Sequence, residues 1–141
     1  MGCDMHCVIE ALNKKTGNWD CFGVSTSFRN YQLYSRIAVV RNSEDESTYI
    51  EPICDLRGWP YDASEPAEAW YEYNDLSFSH TFLCRKELEA LNKWTKEHLH
   101  GDLLKYLEFN HLSYLFNLEE SWKKAAFTRY SDLRIIFFFS I

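Results

Sequence analysis

Apolar and polar residues alternate from Cys3 to Leu12. Cys3, Met5, Cys7, Ile9 and Ala11 fall on one side, and Asp4, His6, Val8, Glu10 and Leu12 on the other. A period of two predicts a β-strand with one buried face. Asn13 to Asn18 reads as a turn in which Gly17 takes a positive φ, and Trp19 to Val24 reads as a second strand, completing an antiparallel hairpin. Asn30 can cap a helix whose apolar stripe is Tyr31, Leu33 or Tyr34, Ile37 and Ala38. Polar residues from Asn42 to Thr48 end it. Between Tyr49 and Pro66 no period holds, and Pro52, Gly58, Pro60 and Pro66 punctuate an irregular stretch, followed by a short helix over Ala67 to Tyr73.

Ser79 or Thr81 opens the next ordered segment, in which Leu88, Leu91 and Trp94 form a helical stripe to about His98. Gly101 stops or bends this helix. Asp102 can cap another carrying Leu103, Leu104 and Leu107, and Leu112, Leu115, Phe116, Leu118 and Trp122 predict further helix to about Phe127. From Asp132 to Ile141 the pattern returns to a strand, apolar on both sides toward its end and therefore central in a sheet. The predicted order is β-β-α-(long loop)-α-α-α-β. The N-terminal hairpin and the C-terminal strand pair into a small antiparallel sheet, with helices on one face and a long irregular acidic loop: an α+β fold, 1–141 forming a single domain.

Composition narrows the class. The 10 Phe, 9 Tyr and 5 Trp are too many for a solvated coil. The longest apolar run, Ile135 to Phe139, is far short of the ~18–20 residues of a membrane span, and Met1–His6 lacks the basic start of a signal peptide. A cytoplasmic protein is expected. The net charge of −6 is unevenly placed: Arg41 to Asp75 holds ten acids against two bases. Such a segment repels phosphate backbones, which argues against duplex nucleic acid and for a basic protein partner, or for a solvated acidic loop. The five cysteines include no Cys-x-x-Cys pair and read as reduced, mostly buried thiols.

Several stretches resemble a family of small bacteriophage and prophage proteins. The opening Met1-Gly2-Cys3-Asp4-Met5-His6 is similar to the family's M-G-C-D-I-H start. Arg29-Asn30-Tyr31-Gln32-Leu33-Tyr34 with Val40-Arg41-Asn42 resembles R-N-Y-x-L-F…V-R-N, and Pro52 to Asp62 resembles P-I-x-x-x-R-G-x-P-x-D. Ser79-His80-Thr81-Phe82-Leu83 with Glu87-Leu88 is similar to H-S-x-S-W-L…E-L, and Leu133 to Phe139 to the closing apolar strand. The chain departs from the pattern twice: Phe78 stands where the family carries the first His of its motif, and Ser140-Ile141 where it carries an Asp-Asn pair. The resemblance implies a phage setting in the host cytosol and names no activity.

Asp4 and His6 are two apart on a strand, roughly 7 Å between backbones, so they share a side. They are polar residues on a solvent-facing strand, a buried Asp–His hydrogen bond, or the first two ligands of a divalent metal or an acid–base pair. His80 and Asp62, each within a family-like motif, are the candidate distant ligands. Arg29, beside a helix N-terminus, and Arg57, beside Gly58, are candidate anion binders, or they pair with acids and pin a loop. Tyr31, Trp59 and Tyr61 can stack on a nucleobase or pack in the core. No G-x-S-x-G and no phosphate-binding loop is present.

Two functions follow. One is a phage-encoded accessory protein, a counter-defence factor, that binds a nucleotide-like small molecule or a host protein, with Arg29, Tyr31, Arg57 and Trp59 as ligand contacts and homo-oligomerisation left open. The other is a divalent-metal-dependent hydrolase of a phosphorylated or nucleotide substrate, with Asp4, His6, His80 and Asp62 on the metal.

Overall fold

A computed structural model describes residues 2–112 and 129–141. The expected hairpin forms from β1 (Asp4–Asn13) and β2 (Trp19–Thr26). The Asn13 carboxamide oxygen accepts the N–H groups of Lys15 (2.9 Å) and Thr16 (3.3 Å), and Gly17 takes φ 73°, which closes the turn. β4 (Tyr130–Ser140) pairs antiparallel with β1, placing His6 opposite Phe138, Val8 opposite Ile136 and Glu10 opposite Arg134. The predicted central position of β4 holds, because a further strand, β3 (Phe78–Cys84), lines its other side, and the sheet order is β2-β1-β4-β3. β3 is an addition to the predicted order. Its pairing slips between Phe78 and Thr81, where Ser79 takes φ 53°, and that bulge breaks the alternation that marks a strand.

The helices are α1 (Tyr31–Ala38), α2 (Glu65–Tyr73), α3 (Arg85–His98) and α4 (Leu103–Tyr106). Asn30 caps α1 as expected, its side chain accepting the Leu33 N–H at 3.1 Å. α2 begins two residues earlier than expected, because Ser64 caps it and Pro66 suits its first turn. The helix predicted from Leu112 to about Phe127 lies, beyond Leu112 itself, outside the described residues. Among those described, Asn110–Leu112 forms a short 3-10 turn.

The sheet buries both faces. Met5, Cys7, Ile9 and Ala11 of β1 join Leu133, Ile135, Phe137 and Phe139 of β4 under α1, α3 and α4. On the opposite face Val8, Ile136 and Phe138 pack with Ala67, Trp59, Ala63 and Trp70 from α2 and the loop before it. Cover on one face only was expected. The second layer exists because Ala67 and Trp70 are turned to the sheet by a helix whose other side, with Glu65, Ala69, Glu72 and Tyr73, faces solvent. His6 and Glu10, on the β1 side that alternation left open to water, are 5% and 0% exposed.

Candidate functional site

The second face carries the polar side chains of β1, and α2 and its approach loop decide their surroundings. At one end lies an ionic lock. The Arg134 guanidinium donates from Nε to Glu10 Oε1 at 2.7 Å and from Nη1 to Asp62 Oδ1 at 2.8 Å, and it lies 3.9 Å from the Trp19 ring centroid. Glu10 Oε2 accepts the backbone N–H of Ser64, the cap of α2, at 2.9 Å. Asp62 also accepts Trp19 Nε1–H at 3.1 Å. A buried carboxylate thus ties two central strands to the start of the helix above them.

At the other end His6 hydrogen-bonds Thr26 Oγ1 through Nδ1 at 2.9 Å and Ser140 Oγ through Nε2 at 2.6 Å. Its ring lies 5.1 Å from Phe138 and meets Trp70 edge to face at 5.8 Å. His80, on β3, bonds Ser77 Oγ through Nε2 at 2.9 Å and packs against Trp59, Tyr71 and Phe138. Burial pushes both imidazoles below their usual value, and the Asp4 carboxylate pulls His6 partly back.

The four proposed metal ligands do not meet. Asp62 belongs to the Glu10 end, and Glu10 lies roughly 13 Å along β1 from His6, four residues of strand rise. His6 and His80 stand on β1 and β3, on either side of β4, and the Phe138 ring packs against both. Two strand spacings separate them by roughly 10 Å, where ligands of one ion sit about 2 Å from it. Asp4 turns to Arg29 instead, Oδ1 to Nε at 2.7 Å, and that hydrogen bond holds its carboxyl below the usual range. Among the described residues no three His, Cys, Asp or Glu side chains are placed to hold a metal ion. The metal quartet is therefore corrected to four residues with separate polar partners: Asp4 with Arg29, His6 with Thr26 and Ser140, Asp62 with Arg134 and His80 with Ser77. The reading of β1 as solvent-facing at His6 is corrected too, because α2 covers it.

The proposed ligand contacts also divide. Arg29 at the α1 N-terminus holds the Asp4 carboxylate. Tyr31 accepts the Cys3 N–H at 3.2 Å with its hydroxyl, and the Arg41 guanidinium lies over its ring. Arg57 donates to Glu87 Oε1 at 2.6 Å and to the Phe82 carbonyl at 3.1 Å, pinning the long loop to β3 and α3. Trp59 donates to Glu68 Oε1 at 2.8 Å and packs on Tyr71 and Phe138. Tyr31 belongs to the α1 layer and Trp59 to the α2 layer, with the sheet between them. The contacts of Arg57 and Trp59 are those of loop anchoring and core packing, and Gly58 (φ 78°) lets its N–H reach the His80 carbonyl at 3.0 Å.

Sequence reasoning left Arg134, Thr26 and the bonding role of Ser140 unassigned. A signal for the first is visible in retrospect: Glu10 and Arg134 are opposite charges inside the two most apolar strands. Among the described residues, open hollows of about 300 Å³ beside Cys84, Glu87 and Asp132 and of about 380 Å³ beside Lys96, His100 and Lys105 also mark the surface. Neither is lined by a predicted site residue. All five cysteines are free thiols, Cys3 and Cys7 buried. The chain matches no family model, no curated protein and no solved structure. Among the described residues no helix is long and apolar enough to cross a membrane.

The buried imidazoles make stability depend on pH. The fold holds His6 and His80 neutral with lowered pKa, while the unfolded chain protonates them near pH 6.5. Protons then bind the unfolded state preferentially, so their contribution is complete above pH 6.5 and declines as the pH falls below it. Urea midpoints at pH 7.5, 6.5 and 5.5 should drop on acidification, and His6→Gln with His80→Gln should flatten the drop. An unchanged slope in that double variant would refute the assignment.

Proposed function

We propose that this chain is a phage-encoded accessory protein that acts by binding a host protein, as a counter-defence factor in the host cytosol. The observation that carries the binding reading is the internal commitment of the candidate catalytic groups. Asp4 is spent on Arg29, Asp62 on Arg134, His6 on Thr26 and Ser140, and His80 on Ser77. The motif resemblance from Met1 to Phe139 supports the phage setting. A nucleotide-like ligand is the weaker form of the reading, since Arg29 and Arg57 already have carboxylate partners and Trp59 is packed.

The alternative, a divalent-metal-dependent hydrolase built on Asp4 and His6, has the spacing of its ligands against it. The contact closest to catalysis is Ser140 Oγ on His6 Nε2, a hydroxyl beside a neutral imidazole. One set of measurements separates the readings. Thermal melts with Mn²⁺, Zn²⁺ and EDTA, and with linear and cyclic nucleotides, should leave the midpoint within about 1 °C, since a specific ligand raises it. A fluorophosphonate probe should leave Ser140 unlabelled. A metal-dependent rise lost in Asp4→Ala and His6→Ala, or Ser140 labelling lost in His6→Ala, would overturn the binding reading.

A further inference from the structure

On the binding reading above, the structure also indicates where the partner docks. Along α2 the exposed positions are Glu65, Pro66, Ala69, Glu72 and Tyr73, a spacing that makes one outward face, while Ala67 and Trp70 turn to the sheet. The face continues past the helix end to Leu76. Tyr73 is 79% exposed and Leu76 94% exposed. Leu76 also takes φ 63°, a left-handed conformation normally left to glycine or asparagine. A leucine there is strained and solvated at once.

The charge around this apolar strip selects the partner. No lysine or arginine occurs from Gly58 to Cys84, whereas Glu65, Glu72 and Asp75 flank Tyr73 and Leu76. Among the described residues none of these three acids forms an ion pair. A second copy would set the same acids against each other, and nucleic acid or an anionic membrane would meet like charge. The strip is also held in place before any partner arrives: Tyr73 stacks on Trp70 at 5.7 Å with planes 3° apart, and Glu10 holds the Ser64 N–H at the start of the helix.

We propose that the outward face of α2, from Glu65 to Leu76, docks a lysine- or arginine-rich protein surface that offers an apolar socket to Tyr73 and Leu76. The rest of the acidic segment, including Glu44 and Glu46, contributes attraction at a distance and no contact.

The test uses the full chain and a fluorescein-labelled 16-residue peptide of alternating leucine pairs and lysine pairs, read by fluorescence anisotropy at 50 mM NaCl. A 16-residue polylysine reports pure charge attraction. The leucine–lysine peptide should bind the native chain at least tenfold more tightly than polylysine. Glu65→Lys with Glu72→Lys, and separately Tyr73→Ser with Leu76→Ser, should each weaken it at least tenfold. Glu44→Lys with Glu46→Lys should stay within twofold. These are surface positions, and thermal melts within about 2 °C of the native chain confirm that each variant folds. Failure of the native chain to prefer the leucine–lysine peptide, or equal losses in the α2 and Glu44/Glu46 variants, overturns the docking face. Neither outcome touches the binding reading, which falls instead to metal-dependent hydrolysis or Ser140 labelling in the same preparations.

Discussion

Replacing Glu10 by alanine will destabilise the fold by about 3–5 kcal/mol, the range for breaking a buried ion pair from one side. The Glu10 side chain is wholly buried and that of Arg134 is 4% exposed, so the guanidinium left behind keeps, besides its ring contact with Trp19, a single carboxylate partner, Asp62, whose side chain is 38% exposed. The Ser64 N–H loses its acceptor in the same step. For a chain of this size the loss should lower the melting temperature by about 10 °C or more. Glu10→Gln, which keeps an acceptor for Ser64 but not the charge, should fall between alanine and the native chain. Glu10→Leu combined with Arg134→Met should recover much of the loss, because apolar residues can replace a buried pair at little cost while half a pair cannot be left. Urea denaturation of the four proteins is the measurement. A Glu10→Ala cost below about 1 kcal/mol would show that water reaches Arg134 and that the lock does not hold the helix.

The second large effect belongs to Phe138. This residue is fully buried and its ring lies 5.1 Å from His6, 5.7 Å from Trp59, 6.0 Å from Tyr71 and 6.2 Å from His80. Phe138→Ala should cost about 3–5 kcal/mol, the lost transfer energy plus the cavity beneath α2. Phe137→Ala, one residue away on the other face, should cost a similar amount, yet the two should differ in where the fold loosens. Ala67 is the one α2 residue that is completely buried, and the second-face cluster is much the smaller of the two. Amide exchange in α2 should therefore accelerate relative to α3 in Phe138→Ala and not in Phe137→Ala. A uniform acceleration in both would mean that the two layers open only together.

Together these variants mark what the second layer depends on: one ionic lock at the Glu10 end and one ring cluster at the His6 end. The docking face proposed for α2 rests on the same attachments, so Glu10→Ala should also weaken the leucine–lysine peptide at temperatures where the sheet is still folded.

Much of the architecture is legible in local pattern. The alternation of Cys3 to Leu12, the Asn13–Gly17 turn, the Asn30 cap and the doubly apolar run at Ile135–Phe139 each depend on neighbours a few residues away, and each appears in the structure where the pattern puts it. β3 was hidden by its bulge at Ser79 and by the helix stripe that follows it. The candidate site was less legible. Asp4 and His6 share a strand side, as spacing requires, but spacing does not say that Asp4 reaches Arg29 or that His6 meets Ser140, 134 residues away.

Local pattern alone settled that β1, β2 and β4 are strands and α1 and α3 helices, that β4 lies inside the sheet and that Met5, Cys7 and Ile9 face a core, because those follow from backbone geometry and the exclusion of apolar side chains from water. Whether the polar side of β1 is wet or dry was decided only when α2 settled on it. Burial there turns on contacts between residues more than fifty positions apart, Glu10 with Ser64 and Val8 with the Ala67 helix. A local pattern records a side chain's polarity, while its electrostatic surroundings are set by whichever distant element excludes the water around it.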